Sequence, residues 1–321
     1  MREPRRSNAA RGKPVSSPVL PNVDLSEWEL ARRRPLRGQV ALVAGGTRGA
    51  GRAIAVCLGA AGATVYVTGR SIRGSPATPG RHETIEETAA MVRAFQTPAF
   101  AVRVDHEKEA EVRRLFERVR REQHGRLDIL VNDIWGGETL TEWGVPPWKL
   151  SWSKGKEMLE RAVFTHILTN RYGVPLLVRR RRGLVVEVTD GTHFRYRGSL
   201  FYDLVKTNVI RLAYDLSEEF REAHLRRLTA LAVTPGFLRS EYILDQFAVT
   251  EANWRDAIPK APHFYASETP YFLGKAVASL AADSKVHSKS GQALGSWEIA
   301  REYGFTDLDG SRPDWGKVMG G

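Results

Sequence analysis

Tyr202 and Lys206 stand four residues apart in a segment whose apolar spacing predicts a helix, so both side chains share one face. A phenol with a pKa of about 10 exchanges protons poorly at neutral pH, and a neighbouring ammonium stabilises its phenolate. A tyrosine and a lysine in this register could therefore move a proton to or from a carbonyl or alcohol oxygen. Far upstream, Gly45, Gly49 and Gly51 form a G-x-x-x-G-x-G run between an apolar strand and an Ala-rich helix. A tight turn there would bring backbone N–H groups and a helix N-terminus to a pyrophosphate, and side chains at those positions would block the approach. In this order, the two motifs point to hydride chemistry with a dinucleotide.

Val40-Ala41-Leu42-Val43-Ala44 reads as a short buried strand, and Gly51 to Gly62 as the Ala-rich helix. Residues 63–68 predict the next strand. A Gly/Pro/Ser loop is followed by a helix over 83–95, a strand over 99–104, a charged amphipathic helix over 107–123 and a strand over 127–131. The alternation continues with a helix around 155–178, a strand at 184–188, a helix over 201–223 and a strand at 228–233. Short apolar strands alternating with helices call for a parallel sheet covered on both faces. Right-handed crossovers make this an α/β, doubly wound, Rossmann-type fold with ligands at the carboxyl ends of the strands. No repeat or internal linker interrupts 38–300, so residues 36–321 predict one domain that carries its own substrate lid. Residues 1–35, rich in Arg, Pro, Ser and Asn without an apolar period, read as a mobile basic leader.

Composition narrows the classes. The chain of 321 residues is 42% hydrophobic and 26% charged, as in ordinary soluble domains. No apolar run approaches the roughly 18 residues of a membrane span. Arg5-Arg6 is not followed by an apolar segment, which argues against twin-arginine export. The single cysteine, Cys57, excludes an intrachain disulfide and fits a reducing cytoplasm. The net charge of +11 is localised: residues 1–38 hold nine Lys or Arg against four acidic residues, and Arg179, Arg180, Arg181 and Arg182 add four more charges in one turn. Such placement reads as a solvated leader and a surface loop rather than a nucleic-acid footprint. His166, His193 and His263 lack metal-ligand spacing, so no metal site is expected.

The choice of dinucleotide is written after the second strand. A carboxylate there would bind ribose hydroxyls and repel a 2′-phosphate. This chain instead continues Thr68-Gly69-Arg70-Ser71. Arg70 offers a planar cation suited to phosphate, and Arg48, within the glycine turn, could reach the same group. NADP(H) is the expected cofactor.

These motifs resemble the short-chain dehydrogenase/reductase family over about 38–300. Ala44-Gly45-Gly46-Thr47-Arg48-Gly49-Ala50-Gly51 is similar to its T-G-x-x-x-G-x-G, with Ala in place of the leading Thr. Tyr202-Asp203-Leu204-Val205-Lys206 is similar to its active-site signature. The resemblance implies that Gly45, Thr47, Arg48, Gly49 and Gly51 hold the cofactor, that Asp105 lies against adenine, and that Pro235 and Gly236 lie at the nicotinamide end. It also implies that Lys206 binds the nicotinamide ribose. The stretches at 280–283, 291–294 and 300–304 resemble one subgroup, dehydrogenase/reductase member one. Where the family has N-N-A-G, this chain reads Asn132-Asp133-Ile134-Trp135, keeping one Asn, implied to be a cofactor residue. The family's proton-relay Asn on the following helix aligns with Ala162, which cannot relay a proton. Its catalytic Ser, about 13 residues before the Tyr, falls on Thr189 by count and on Asp190 if the strand itself is aligned. The family also commonly forms dimers or tetramers, which implies a homo-oligomer.

Trp135, Trp143, Trp148 and Trp152 crowd the loop after the fourth strand, and Tyr242, Phe247, Trp254, Phe264 and Tyr265 crowd the segment after Pro235-Gly236. These aromatics suit either the walls of a bulky apolar substrate pocket or the packing of the loops themselves. The functional expectation is an NADP(H)-dependent carbonyl reductase or alcohol dehydrogenase acting on a hydrophobic small molecule. The alternative is an NADP(H)-binding sensor or scaffold with little turnover, motivated by Ala162 and the altered N-N-A-G.

Overall fold

In a computed structural model, which describes residues 23–192 and 195–318, the run Val40–Ala44 has no polar side chain because it has no solvent face. All five residues of this strand, β1, are buried on both sides. The helix α1 (Glu29–Arg33) precedes it, and α2 (Gly49–Ala60), β2 (Thr64–Gly69), α3 (Ile85–Arg93), β3 (Ala99–Arg103), α4 (Glu109–Glu122) and β4 (Ile129–Asn132) follow. Then come α5 (Trp152–Leu159), α6 (Thr165–Arg180), β5 (Gly183–Val188), α7 (Leu200–Glu222), β6 (Leu228–Thr234), α8 (Glu241–Gln246), α9 (Pro270–Ala282), β7 (Ala293–Gly295) and α10 (Ser296–Tyr303). The strands form one parallel sheet in the order β3-β2-β1-β4-β5-β6-β7. The order reverses between β1 and β4, and this switch point opens a crevice at the carboxyl ends.

One face of the sheet packs on α2, α3 and α9 through Ile54, Leu58, Val67, Val92, Phe272 and Val277. The other packs on α4, α6 and α7 through Leu42, Phe116, Leu130, Leu177 and Phe220. Local signals set the element ends. Thr84 and Glu87 close a reciprocal capping box at the start of α3. β7 carries little strand signal of its own in three residues; its register beside β6 supplies the pairing.

Two expectations change. Residues 23–35 are not a mobile leader: Leu25, Trp28 and Leu36 are buried in the core on the α2 side, and Leu36 N–H bonds the carbonyl of Ala61. Val23, Leu30 and Ala31 pack beside them, so a handful of apolar side chains without a long period is enough to dock this segment. Residues 1–22 lie outside the described residues. The helix expected over 155–178 is interrupted at Glu160–Phe164 by a π-turn between α5 and α6, and such turns rotate the side chains that follow. Replacing Leu25 with Ala should therefore cost about 2–4 kcal/mol, as for other buried leucines. An unchanged midpoint in urea unfolding would contradict this docking.

Candidate active site

β1 runs into Gly45, whose φ of +89° is open to glycine; a Cβ there would lie 2.2 Å from the carbonyl oxygen of Asp133. Gly45, Thr47, Arg48 and Gly49 line a cavity of about 530 Å³. It passes Arg70 and Asp105 on one side and reaches Thr189, Asp190, Tyr202, Lys206, Pro235 and Gly236 on the other. A dinucleotide fits this cradle: the turn is bare backbone, and one continuous cavity joins the start of α2 to Tyr202. Gly51 does not line the cavity. It lets α2 approach the turn, since its Cβ would meet the Gly45 carbonyl oxygen at 2.4 Å. Asn132 does not reach the cavity either; it is fully buried, and Asp133, part-buried, lines the cavity beside the turn. At the far end, Arg70 donates to Glu107 Oε1 at 3.1 Å and Arg48 Nη2 lies 3.5 Å from Thr78 Oγ1. The N–H of Gly49 donates to Glu241 Oε2 at 2.9 Å, which sets a carboxylate from α8 at the N-terminus of α2.

At the reacting end, the Tyr202 hydroxyl donates to Asp190 Oδ2 at 2.7 Å. Thr189 also borders the cavity, but its hydroxyl donates to the carbonyl oxygen of Lys206 at 2.7 Å and the residue is buried. Of the two positions weighed for the family's serine, Asp190 is the one that meets the Tyr202 hydroxyl here. Lys206 Nζ sits 4.0 Å from the ring centre of Trp135 and 5.4 Å from that of Tyr202. Trp135 and Trp143 flank Tyr202 with ring centres 5.6 and 5.0 Å away.

The aromatic residues divide between the two expected roles. Trp135, Trp143 and Tyr242 line the cavity, joined by Phe237 and Trp315. Trp148 and Trp152 are exposed outside it, Tyr265 is exposed, and Phe247, Trp254 and Phe264 pack into a satellite core.

Beneath the site lies a polar cluster that the motifs did not reveal. Glu187, with no exposure near the carboxyl end of β5, accepts from Asn132 Nδ2 at 2.9 Å and Asn170 Nδ2 at 2.7 Å through Oε1. Its Oε2 meets His166 Nδ1 at 2.6 Å, and His166 Nε2 reaches the carbonyl oxygen of Ile134 at 3.0 Å. Ala162 is buried in a small apolar cluster with Met158 and Val205, and the polar side chains that α6 sends to Glu187 beneath the site are His166 and Asn170. On the other flank, Glu268 accepts the Gly236 N–H at 2.9 Å and the Ser296 hydroxyl at 2.6 Å, holding the Pro235-Gly236 turn. A carboxylate within the apolar run Leu184-Val185-Val186-Glu187-Val188 was the available sequence signal. His166 and Glu268 carried none. Among the described residues no group of His, Cys, Asp or Glu could hold a metal ion.

Charge in the crevice differs from the expectation that Lys206 depresses the phenol. Burial, then the Asp190 carboxylate, push Tyr202 well above its ordinary range, so it holds its proton as an acid. Burial lowers Lys206, opposed by Asp190 and Asp133. Burial raises Asp133 from 3.8 to about 7, opposed by Lys206 and the Gly51 N–H. A carboxyl that binds its proton more tightly when folded destabilises the fold as it ionises: the cost grows as pH rises from about 4 to 7 and is constant above. Asp133→Asn should therefore raise the thermal midpoint more at pH 8 than at pH 4.5. An equal gain at both would show that Asp133 ionises with an ordinary pKa.

Comparison with known proteins agrees with this arrangement. Residues 39–247 match the family model described as short chain dehydrogenase. The chain is 34% identical to mouse Dehydrogenase/reductase SDR family member 1 over 280 residues, covering 86% of this chain and 85% of that one, and 33% identical to the human protein over the same shares. It superposes with a TM-score of 0.67 on a Burkholderia xenovorans chain described as a short-chain dehydrogenase/reductase, at 22% identity, covering 81% of this chain and 95% of the other; that likeness speaks for the fold. With the parallel sheet, the glycine turn and the Tyr202–Lys206 pair at one crevice, the chain belongs to the short-chain dehydrogenase/reductase family of oxidoreductases.

Proposed function

We propose that this protein is an NADP(H)-dependent oxidoreductase that reduces a ketone or aldehyde of a bulky hydrophobic small molecule, or oxidises the corresponding alcohol. The observation that carries this reading is the single cavity joining the bare Gly45 turn to Tyr202 and Lys206. The bound nicotinamide would supply or accept the hydride. Thr47 and the backbone of Gly45 and Gly49 would hold its diphosphate, with the Glu241 carboxylate moving off the Gly49 N–H. Arg70 and Arg48 would meet a 2′-phosphate, and Asp105 lies on the wall available to adenine.

Tyr202 would give its proton to the substrate oxygen, leaving Asp190 and taking the oxygen as its new partner. Lys206, between the Tyr202 and Trp135 rings, would stabilise the phenolate as it forms and bind the nicotinamide ribose. Trp135, Trp143, Phe237 and Tyr242 supply apolar walls for the substrate.

A second reading, an NADP(H)-binding sensor or scaffold with little turnover, draws on one observation: an acceptor carboxylate, Asp190, occupies the place opposite Tyr202 where a hydroxyl donor was expected. NADPH consumption over a panel of ketones, aldehydes and quinones separates the two. The enzyme reading expects turnover with NADPH preferred to NADH, and loss of at least about a hundredfold in kcat for Tyr202→Phe with NADPH binding retained. NADPH binding without turnover of any panel member would favour the sensor. Arg70→Ala should weaken NADPH at least about tenfold more than NADH, as the loss of a charge-assisted phosphate contact implies. Equal weakening would remove Arg70 from the phosphate site.

A further inference from the structure

The reacting end of the crevice is unusually acidic. Asp133, Glu138 and Asp190 all line it, and the fields of Glu138 and Asp190 both reach Tyr202 and Lys206. Against three carboxyl groups stand Lys206 and the neighbouring Arg197, whose guanidinium donates to Asp203 at 2.7 Å. Arg161, the other cation on this wall, donates to the Gly136 carbonyl and pairs with Glu157. Arg48 belongs to the opposite end, beside Thr78, whereas Arg70 pairs with Glu107 and its guanidinium also comes near Gly136, where an added Cβ would lie 3.9 Å from Nη2. The carboxylate of Glu138 makes no hydrogen bond or ion pair with any described residue, although it is part-buried on the cavity wall. A partly desolvated carboxylate without a partner is costly, and one aimed into a binding crevice gains most from a cationic ligand.

The aromatic residues point the same way. Trp135, Trp143 and Tyr202 line the same cavity as these carboxyl groups and pack ring against ring, and Lys206 already uses the Trp135 face at 4.0 Å. Aromatic faces beside carboxylates recognise ammonium groups, whereas a neutral ketone gains nothing from the acids.

Asp190 adds a positional constraint. Its Oδ2 lies 2.7 Å from the Tyr202 hydroxyl. When a substrate oxygen takes over the Tyr202 hydrogen bond, Asp190 loses its donor, and the group nearest to replace it sits within a bond or two of the reacting carbon.

We infer that the substrate carries a protonated amine on the carbon next to the one that reacts, an α-amino ketone or its vicinal amino alcohol, with Asp190 and Glu138 receiving the ammonium between Trp135 and Trp143. This inference rests on the oxidoreductase reading and narrows its substrate class. It also accounts for the replacement of a hydroxyl donor by a carboxylate, since Asp190 here binds the neighbouring nitrogen and Tyr202 alone binds the oxygen.

Two measurements test it on the full-length protein with NADP(H). The first compares kcat/KM at pH 6.5 for phenacylamine (2-amino-1-phenylethanone), its α-hydroxyl counterpart 2-hydroxyacetophenone (2-hydroxy-1-phenylethanone) and propiophenone, which differ in the group on the carbon beside the carbonyl. The second measures calorimetric binding of phenethylamine and of phenethyl alcohol, neither of which carries a carbonyl. The amine should lead each series by at least about tenfold, and the lead should fall to within about threefold in both Glu138→Gln and Asp190→Asn. The comparison is a ratio within each variant, so a variant's loss of overall activity does not blur it. Ketone turnover without an amine preference would overturn the inference and leave the oxidoreductase reading intact. Selective, Glu138-dependent binding of phenethylamine with no turnover of any ketone would keep the cation site and overturn the reductase. A lead for 2-hydroxyacetophenone over the amine would overturn the inference in favour of a neutral donor at Asp190. Should Asp190→Asn fail to fold, loss of the amine lead in Glu138→Gln is still required, and its persistence there would overturn the proposal.

Discussion

A buried carboxyl group near the carboxyl end of β5 organises this molecule. Glu187 has no access to water, and its burial is tolerated because both oxygens are satisfied at 2.6–2.9 Å by Asn132, Asn170 and His166. Those partners come from β4 and from α6, so one side chain ties the carboxyl ends of β4 and β5 and the helix between them into one unit. His166 extends the tie to the Ile134 carbonyl, immediately before Trp135. The residues that meet Lys206 and Tyr202 are thereby held from beneath. Removing one partner from such a cluster leaves the others unsatisfied, so its members depend on one another.

The site above this cluster is electrostatically tense by construction. Lys206 is the cation among the reacting groups, and burial works against its charge while Asp133 and Asp190 work for it. Asp133 rises to about 7 for the same reason and is held by the Gly51 N–H. Asp190 and the surrounding apolar walls keep the proton on Tyr202. Each group is kept near its charge state by its neighbours rather than by water, the condition in which a change of ligand alters the balance most.

The elements were legible to the extent that one local pattern dictated each. Strands buried on both faces, such as Val40–Ala44, announce themselves as unbroken apolar runs, and the α3 cap is written in Thr84 and Glu87. The docking of Leu25 and Trp28 was hidden because a few scattered apolar side chains can seat a segment without a sustained period. The π-turn at Glu160–Phe164 was hidden because one extra residue per turn leaves no mark in composition. Thr189 and Asp190 differ by one residue, and a count along the chain cannot tell which side of a strand end each faces.

The sequence by itself determined the alternation of strands and helices, the glycine turn and the i, i+4 placement of Tyr202 and Lys206, because each depends on neighbours a few residues away. The tertiary structure alone decided that Asn132 supports the site from within, that Asp133 and Asp190 face the crevice, and that Tyr202 is held protonated. Those outcomes depend on burial and on charges brought together from β1, β4, β5 and α7, and distance in space is the one quantity a linear sequence does not carry.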